Sequence, residues 1–378
     1  LLPCTRAFGA VAAALAATLA LAHTALAGAE PIEVVLMTPL GGRQAPLGMA
    51  QRGALEPTIA AINARGGIAG RPLQMTVRDD GCARETATAA ARDVATRPPL
   101  AVIGHPCAAA AKAAAPIYQQ AGILLLAAGA RHPALTESRA GPLAFRVSGR
   151  DDRQGIDAAR RLRELAGKDG GVVMVHDRTA MARAIVGAAA RALMASAPGG
   201  TAGPPSIGIV AGETDYGKAV GEVAAARPSA IFFAGFPAEA AILLRQLRAA
   251  GVHVPLLAID ANATPEFAAH AGSALASGVE VMLPVAVRPR SERGEAGRAP
   301  RSLTDIAAAD ALRALTMLAE TANGIGTLAA ADLARALAAI PADAADRLAF
   351  DAKGDVIAPA FAPYRWTSGA WRSLGPTP

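Results

Sequence analysis

The residues with the widest chemical reach are three cysteines, six histidines, an adjacent pair of aspartates and a few isolated charges at the ends of apolar runs. Cys82 and Cys107 each follow an apolar run, and Cys4 lies ahead of an alanine-rich stretch near the N-terminus. Turns at the ends of neighbouring strands bring Cα atoms within bridging range. A Cys82–Cys107 disulfide would be worth about 3 kcal/mol as a loop constraint. Two buried free thiols, or a metal pair with His105 as the nearest further ligand, are the alternatives. Asp79-Asp80 suits a strand end followed by a turn better than an acid–base dyad, since neighbours in a strand point apart. Arg131 stands on a turn after an apolar run and could clasp a carboxylate bidentately; a solvated loop-tip arginine is the plain alternative. Asp260 could meet an ammonium group or cap the turn near Asn262. Phe236 and Met181 could line an apolar pocket or pack in a core. Tyr118 and Tyr216 read as core residues.

What is missing narrows the chemistry further. The sequence contains no GxGxxG after its first strand, no GxxxxGK[ST], no HExxH and no GxSxG. Its histidines show no metal-ligand spacing, and no nucleophile–base set is evident, so the expectation is a protein that is not an enzyme and has no cofactor. The net charge of +6 and pI near 9.7 come from scattered arginines. With only 3% aromatic residues and no basic run interleaved with rings, the charge reads as solvated surface, and no nucleic-acid partner is expected.

The elements that must position these residues alternate between short apolar runs and alanine-rich helical segments. Residues 101–133 hold the pattern in miniature: a strand ending on Gly104, a helix over Ala108–Gln120 and a strand over Ile123–Ala127. The same alternation predicts strands at Ile32–Met37, Leu73–Asp79, Ala144–Val147, Val172–His176, Ile207–Val210, Ala230–Ala234, Pro255–Ile259 and Val279–Leu283. Helices are predicted between them, among them Leu47–Ala64, where Pro57 should kink or restart the helix. Asp151 or Asp152 should cap a helix running to about Ala166. Leu303–Thr321 and Ala330–Ala339 read as later helices, Val285–Pro300 as an exposed loop, and Leu348–Leu374 as a terminal hairpin. Repeated β–α alternation over 378 residues predicts an α/β fold with parallel sheets in two lobes. The carboxyl edge of such sheets is where ligands bind.

Residues 1–27 carry a positive Arg6, an apolar core and the small-residue site Ala25-Leu26-Ala27, as a cleaved signal peptide does. Cys4 would leave with it. Export to the periplasm, and hence an oxidising compartment, is the expectation.

INARGGIAGRPLQ (61–74), RDDGC (78–82), AVIGHPC (101–107), IYQQAGILLLAAGARHPALT (117–136), VHDR (175–178), AGETDY (212–217), RQLRAAGV (245–252) and DAKGDV (351–356) occur in an order and spacing that resembles the leucine/isoleucine/valine-binding proteins. These are type I periplasmic solute-binding proteins of ABC transporters. The resemblance implies two Rossmann-like lobes joined by three crossings, about 28–148 plus 285–345 and 149–284 plus 346–378. It implies that Cys82 and Cys107 are bridged. It also implies a ligand-binding set. Ala108, with Ala128, Ala130 and Arg131, would hold the solute carboxylate, while Met181, Phe236 and Asp260 would come from the second lobe, Asp260 for an ammonium. Several positions differ from the family: Ala108 stands for a serine, Arg131 for a threonine, Met181 for a tyrosine and Leu47 for an aromatic. The functional expectation is a monomer that captures an amino acid or other small carboxylate by hinge closure and delivers it to a membrane permease. The alternative is a ligand sensor of the same fold reporting to a receptor or regulator.

Overall fold

A computed structural model describes residues 30–196, 203–284, 303–342, 347–357 and 361–375. The expected signal peptide and the expected loop at Val285–Pro300 lie outside the described residues. By their contacts the residues fall into two units: one of residues up to Gly129, Ala140–Phe145 and Ala308–Ala339, the other of Ala130–Arg139, Arg146–Ala307 and residues from Ile340 onward. Residues 28–148 read as one lobe in the sequence; here Ala130–Arg139 group with the second unit.

In the first unit, the strands β1 (Ile32–Thr38), β2 (Leu73–Asp79), β3 (Ala101–Gly104), β4 (Leu124–Ala127) and β5 (Ala144–Arg146) form one sheet in the order β2-β1-β3-β4-β5. β1 pairs in parallel with β2 and β3, and β3 in parallel with β4. The helices α1 (Ala45–Ala64), α2 (Arg84–Ala95) and α3 (Ala108–Gln120) are the crossovers. α1 runs through Pro57 as one helix, so the expected restart does not occur. α3 buries Ala110, Ala111, Ala114, Ala115 and Tyr118. Four of those five are alanine, which lets the helix approach its neighbours closely at little cost in side-chain entropy.

In the second unit, β6 (Val172–His176), β7 (Ser206–Gly208), β8 (Ala230–Ala234), β9 (Leu256–Ile259) and β10 (Glu280–Pro284) are joined by β11 (Phe361–Thr367) and β12 (Ala370–Ser373). The order is β12-β11-β10-β9-β8-β6-β7. The five strands from β6 to β10 pair in parallel, and the terminal hairpin adds two antiparallel strands at one edge. The helices α4 (Asp151–Ala166), α5 (Ala180–Ala195), α6 (Gly217–Ala226), α7 (Pro237–Ala249) and α8 (Pro265–Ala271) cover the sheet. β8 shows why its sequence AIFFA carries no polar residue. Phe232 packs in the cluster with Met174, Leu257 and Ile259, whereas Phe233 packs on the opposite face with Val175, Leu244 and Phe267. Both faces are covered, as expected of a central parallel strand. Each buried phenylalanine contributes about 1.5–3 kcal/mol. The fold is thus α/β with parallel-dominated sheets in two units. α9 (Leu303–Ile325) and α10 (Ala330–Ala338) complete the described helices of more than one turn. No described helix is long and apolar enough to cross a membrane.

Candidate functional site

The carboxyl edge of the first unit is built by backbone, by a disulfide and by a buried hydrogen-bonded chain of side chains. Cys82 and Cys107 form a disulfide with a Cα–Cα distance of 5.3 Å, joining the turns that follow β2 and β3. A second link runs beside it. The Asp80 Oδ2 atom lies 2.9 Å from Nδ1 of His105, and Nε2 of His105 lies 2.9 Å from the Tyr118 hydroxyl. All three side chains are buried. Burial pushes the Tyr118 phenol up, and the nearby Asp80 charge pushes it the same way. The hydroxyl therefore keeps its proton and donates it to Nε2, which leaves Nδ1–H to donate to Asp80. In the sequence Tyr118 reads as a core residue and Asp80 as part of a turn. Both descriptions hold, but the histidine between them makes the core residue polar at one end. Asp80 Oδ1 also accepts the Cys82 N–H at 2.9 Å, so the acid organises the disulfide turn.

Glycine is required at two points of this edge. Gly104 has φ +122°, and a Cβ there would lie 2.1 Å from the Met37 carbonyl oxygen; Gly129 has φ +106°, and its Cβ would meet Pro106 Cα at 2.8 Å. Gln51 of α1 ties the edge together. It accepts the Thr38 hydroxyl at 2.7 Å and donates to the Ala128 carbonyl at 2.9 Å. Ala128 is buried, and its N–H donates to the Gly104 carbonyl at 3.1 Å, so this amide is already committed within the sheet edge. Ala108 is half-buried at the start of α3 and Ala109 is exposed. The first intrahelical bond runs from the Ala111 N–H to the Cys107 carbonyl at 3.0 Å, so the amides of the turn before it have no intrahelical carbonyl to bond.

In the second unit the edge is built by ion pairs. The turn after β4 is fixed by Arg146, which is fully buried. Its guanidinium donates to Asp355 Oδ1 at 2.7 Å, to the His132 carbonyl at 2.7 Å and to the Thr136 hydroxyl. Asp355, from the DAKGDV segment, also accepts from Thr136 at 2.8 Å and from Arg150 at 2.8 Å. The Arg131 carbonyl accepts the Asp151 N–H at 3.0 Å.

The turn so held presents Arg131, whose side chain is 13% exposed. Nε faces Asp151 Oδ1 at 3.2 Å, Nη1 pairs with Asp260 Oδ2, and Nη2 donates to Gln154 Oε1 at 3.1 Å. The Phe361 ring lies beneath the guanidinium, 5.1 Å from centroid to Cζ. Each partner is itself anchored: Gln154 donates to the Met282 carbonyl at 3.0 Å, and the Phe361 N–H donates to Asp157 at 2.8 Å. Burial pushes the Asp151 carboxyl up; Arg131 opposes that shift and Asp260 adds to it. Arg150, not an aspartate, holds the N-cap position of α4, because Asp151 turns to Arg131 while Asp152 turns to Arg150.

The other residues singled out in the sequence sit as follows. Ala130 is buried, and its carbonyl lies 3.4 Å from Arg146 Nη1. Met181, in the first turn of α5, is half-buried and packs against the core cluster containing Ala158, Ile185 and Phe361. Phe236 is 40% exposed at the N-cap of α7. Asp260 is 3% exposed and opens a short 3-10 turn that runs to Asn262. Leu47 is half-buried in α1. The structure thus pairs Arg131 with Asp260; Met181 packs on the cluster that holds Phe361, and Phe236 follows Gly235, whose carbonyl accepts from Asn262 at 3.0 Å. Among the described residues no group of three or more His, Cys, Asp or Glu could hold a metal.

A sequence profile described as "Periplasmic binding protein" matches residues 31–370, nearly the whole described chain. The chain belongs to the periplasmic binding protein family. Within that family it is similar to the Leu/Ile/Val-binding protein of Escherichia coli K12, 33% identical over 273 residues that cover 72% of each chain. It is 28% identical over 352 residues to the leucine-, isoleucine-, valine-, threonine- and alanine-binding protein of Pseudomonas aeruginosa, covering 91% of this chain and 92% of the relative. Among solved structures it resembles a branched-chain amino acid transporter substrate-binding protein of Streptococcus pneumoniae in complex with isoleucine. That structure has a TM-score of 0.69 and 21% identity, covering 91% of this chain and 99% of that one. It also resembles an R. palustris solute-binding protein in complex with benzoate, with a TM-score of 0.71 and 19% identity over 92% of this chain and 96% of that one. This is a type I periplasmic binding protein of the leucine/isoleucine/valine-binding family, a solute-binding protein and not an enzyme.

Proposed function

We propose that this periplasmic binding protein is exported by cleavage of residues 1–27 and works as a monomer in the periplasm. There it captures a small organic carboxylate and delivers it to the permease of an ABC transporter. Two lobes joined by three crossings close on the solute by hinge motion, with contacts from both shifting the population to the closed form. The reading rests above all on the family match over residues 31–370, with relatives that bind branched-chain amino acids. The related structures carry isoleucine in one case and benzoate in another, so carboxylates with and without an amino group both come within the fold's reach. In this chain the carboxylate is assigned to the α3 first-turn amides, where Ala108 offers no hydroxyl. Phe236 and Met181 are assigned to the solute's apolar part. The test is a thermal melt of the exported protein with a panel of amino acids, aliphatic acids and aromatic acids. A solute present at 100 times its dissociation constant adds about 2.7 kcal/mol, so at least one panel member should raise the melting temperature by several degrees. A melt unmoved by the whole panel contradicts the proposal.

A further inference from the structure

On the second unit's edge the buried carboxylate Asp260 already has a cation. Arg131 supplies it from within the chain, and the pair is not a loose encounter of surface side chains. Asp260 is 3% exposed and Arg131 is 13% exposed. The guanidinium is engaged on several sides: Nε faces Asp151 at 3.2 Å as an ion-pair contact, Nη1 pairs with Asp260, Nη2 donates to Gln154 and one face lies on Phe361. Gln154 and Phe361 are fixed in turn by Met282 and Asp157, so the frame around Arg131 offers it no second resting place. A planar fork spent in this way has no bidentate face left for a solute carboxylate. An arriving ammonium would have to break a buried ion pair, and would stand beside a guanidinium of the same sign in a poorly screened setting. The other buried acid near this edge, Asp177, turns Oδ1 to the Thr179 amide and hydroxyl, while its Oδ2 is buried with no hydrogen-bond partner among the described residues.

We infer that Arg131 sets the class of solute: by occupying Asp260 it excludes carboxylates that bear an α-ammonium group and selects those that lack one. The inference rests on the proposed function, and it replaces the anchoring role that the sequence suggested for Arg131 with an excluding one. The carboxylate itself falls to backbone amides, which need no particular side chain.

The experiment uses matched pairs that differ only in the amino group: leucine with 4-methylpentanoate, valine with 3-methylbutanoate, and phenylalanine with 3-phenylpropanoate. Each is titrated calorimetrically into the wild-type protein and into Arg131→Ala. For whichever side chain binds, the wild type should favour the acid without the amino group by at least tenfold. Arg131→Ala, with Asp260 released, should shift that ratio at least tenfold toward the amino acid. Arg131→Ala/Asp151→Asn removes one of the two acids left unpaired and serves if the single variant does not fold. A wild type that binds the amino acid as tightly as its partner acid, or a ratio unchanged in the variants, overturns the inference and leaves the solute-binding reading standing. No binding by any acid or amino acid overturns both.

Discussion

After β3 the chain runs through Cys107 into four consecutive alanines; after β9 it runs into Asp260, clasped by Arg131. Both turns stand at the carboxyl ends of parallel strands, each in its own sheet, and they solve the same task differently. The first is held by a disulfide and a buried Asp80–His105–Tyr118 chain, with its polarity carried by main-chain groups. The second is clasped by Arg131, whose own turn after β4 is fixed by Arg146 and Asp355, with its polarity carried by charged side chains that neutralise one another. The contrast teaches that an edge held by a disulfide and main-chain bonds depends little on charge, whereas an edge built on buried charge is costly to disturb.

The largest effect is expected where charge is buried most deeply. Arg146→Met leaves Asp355 short of its main partner and frees the carbonyls of the Arg131 turn, which should cost about 3–5 kcal/mol in urea unfolding. The first edge should respond less to loss of its covalent link. Cys82→Ser/Cys107→Ser is expected to lower stability by about 3 kcal/mol. The Asp80–His105 contact should still join the two turns, so a solute that binds the wild type should bind this variant too. Tyr118→Phe comes next. It leaves Nε2 of His105 buried without its donor, a loss of about 1–3 kcal/mol, with unfolding again the measure. A local pH effect is the smallest. Burial lowers His176, whose Nδ1 accepts the Arg178 N–H at 3.1 Å and must stay unprotonated to do so. A lowered imidazole favours folding fully above its ordinary range and loses that contribution as pH falls through the depressed value. The melting temperature should therefore dip slightly on the acid side of pH 6.5, and His176→Gln should flatten that dip.

Much of this architecture can be read from residue pattern alone. Leu73–Asp79, Ala108–Gln120, Val172–His176 and Ala230–Ala234 are elements whose bounds agree between sequence and structure. Their apolar runs are short and sharply ended, and alanine-rich stretches have few competing conformations. The site was less legible, because its contacts span long intervals of sequence. Gln51 meets Ala128, Gln154 meets Met282, and Arg146 meets Asp355; nothing local to a buried glutamine announces a partner on another element. Asp151 shows the same limit from the other side. Its place before a helix suggests a cap, but a cation across the unit outcompetes the local amide.

Arg131 and Asp260 act as one buried unit. A double-mutant cycle of Arg131→Ala, Asp260→Ala and the two together, read by urea unfolding, tests it most directly. The pair should show a coupling above about 1 kcal/mol, with the double variant less destabilised than the sum of the singles. Additivity within about 0.5 kcal/mol would mean that the two side chains do not depend on each other, and would contradict the account.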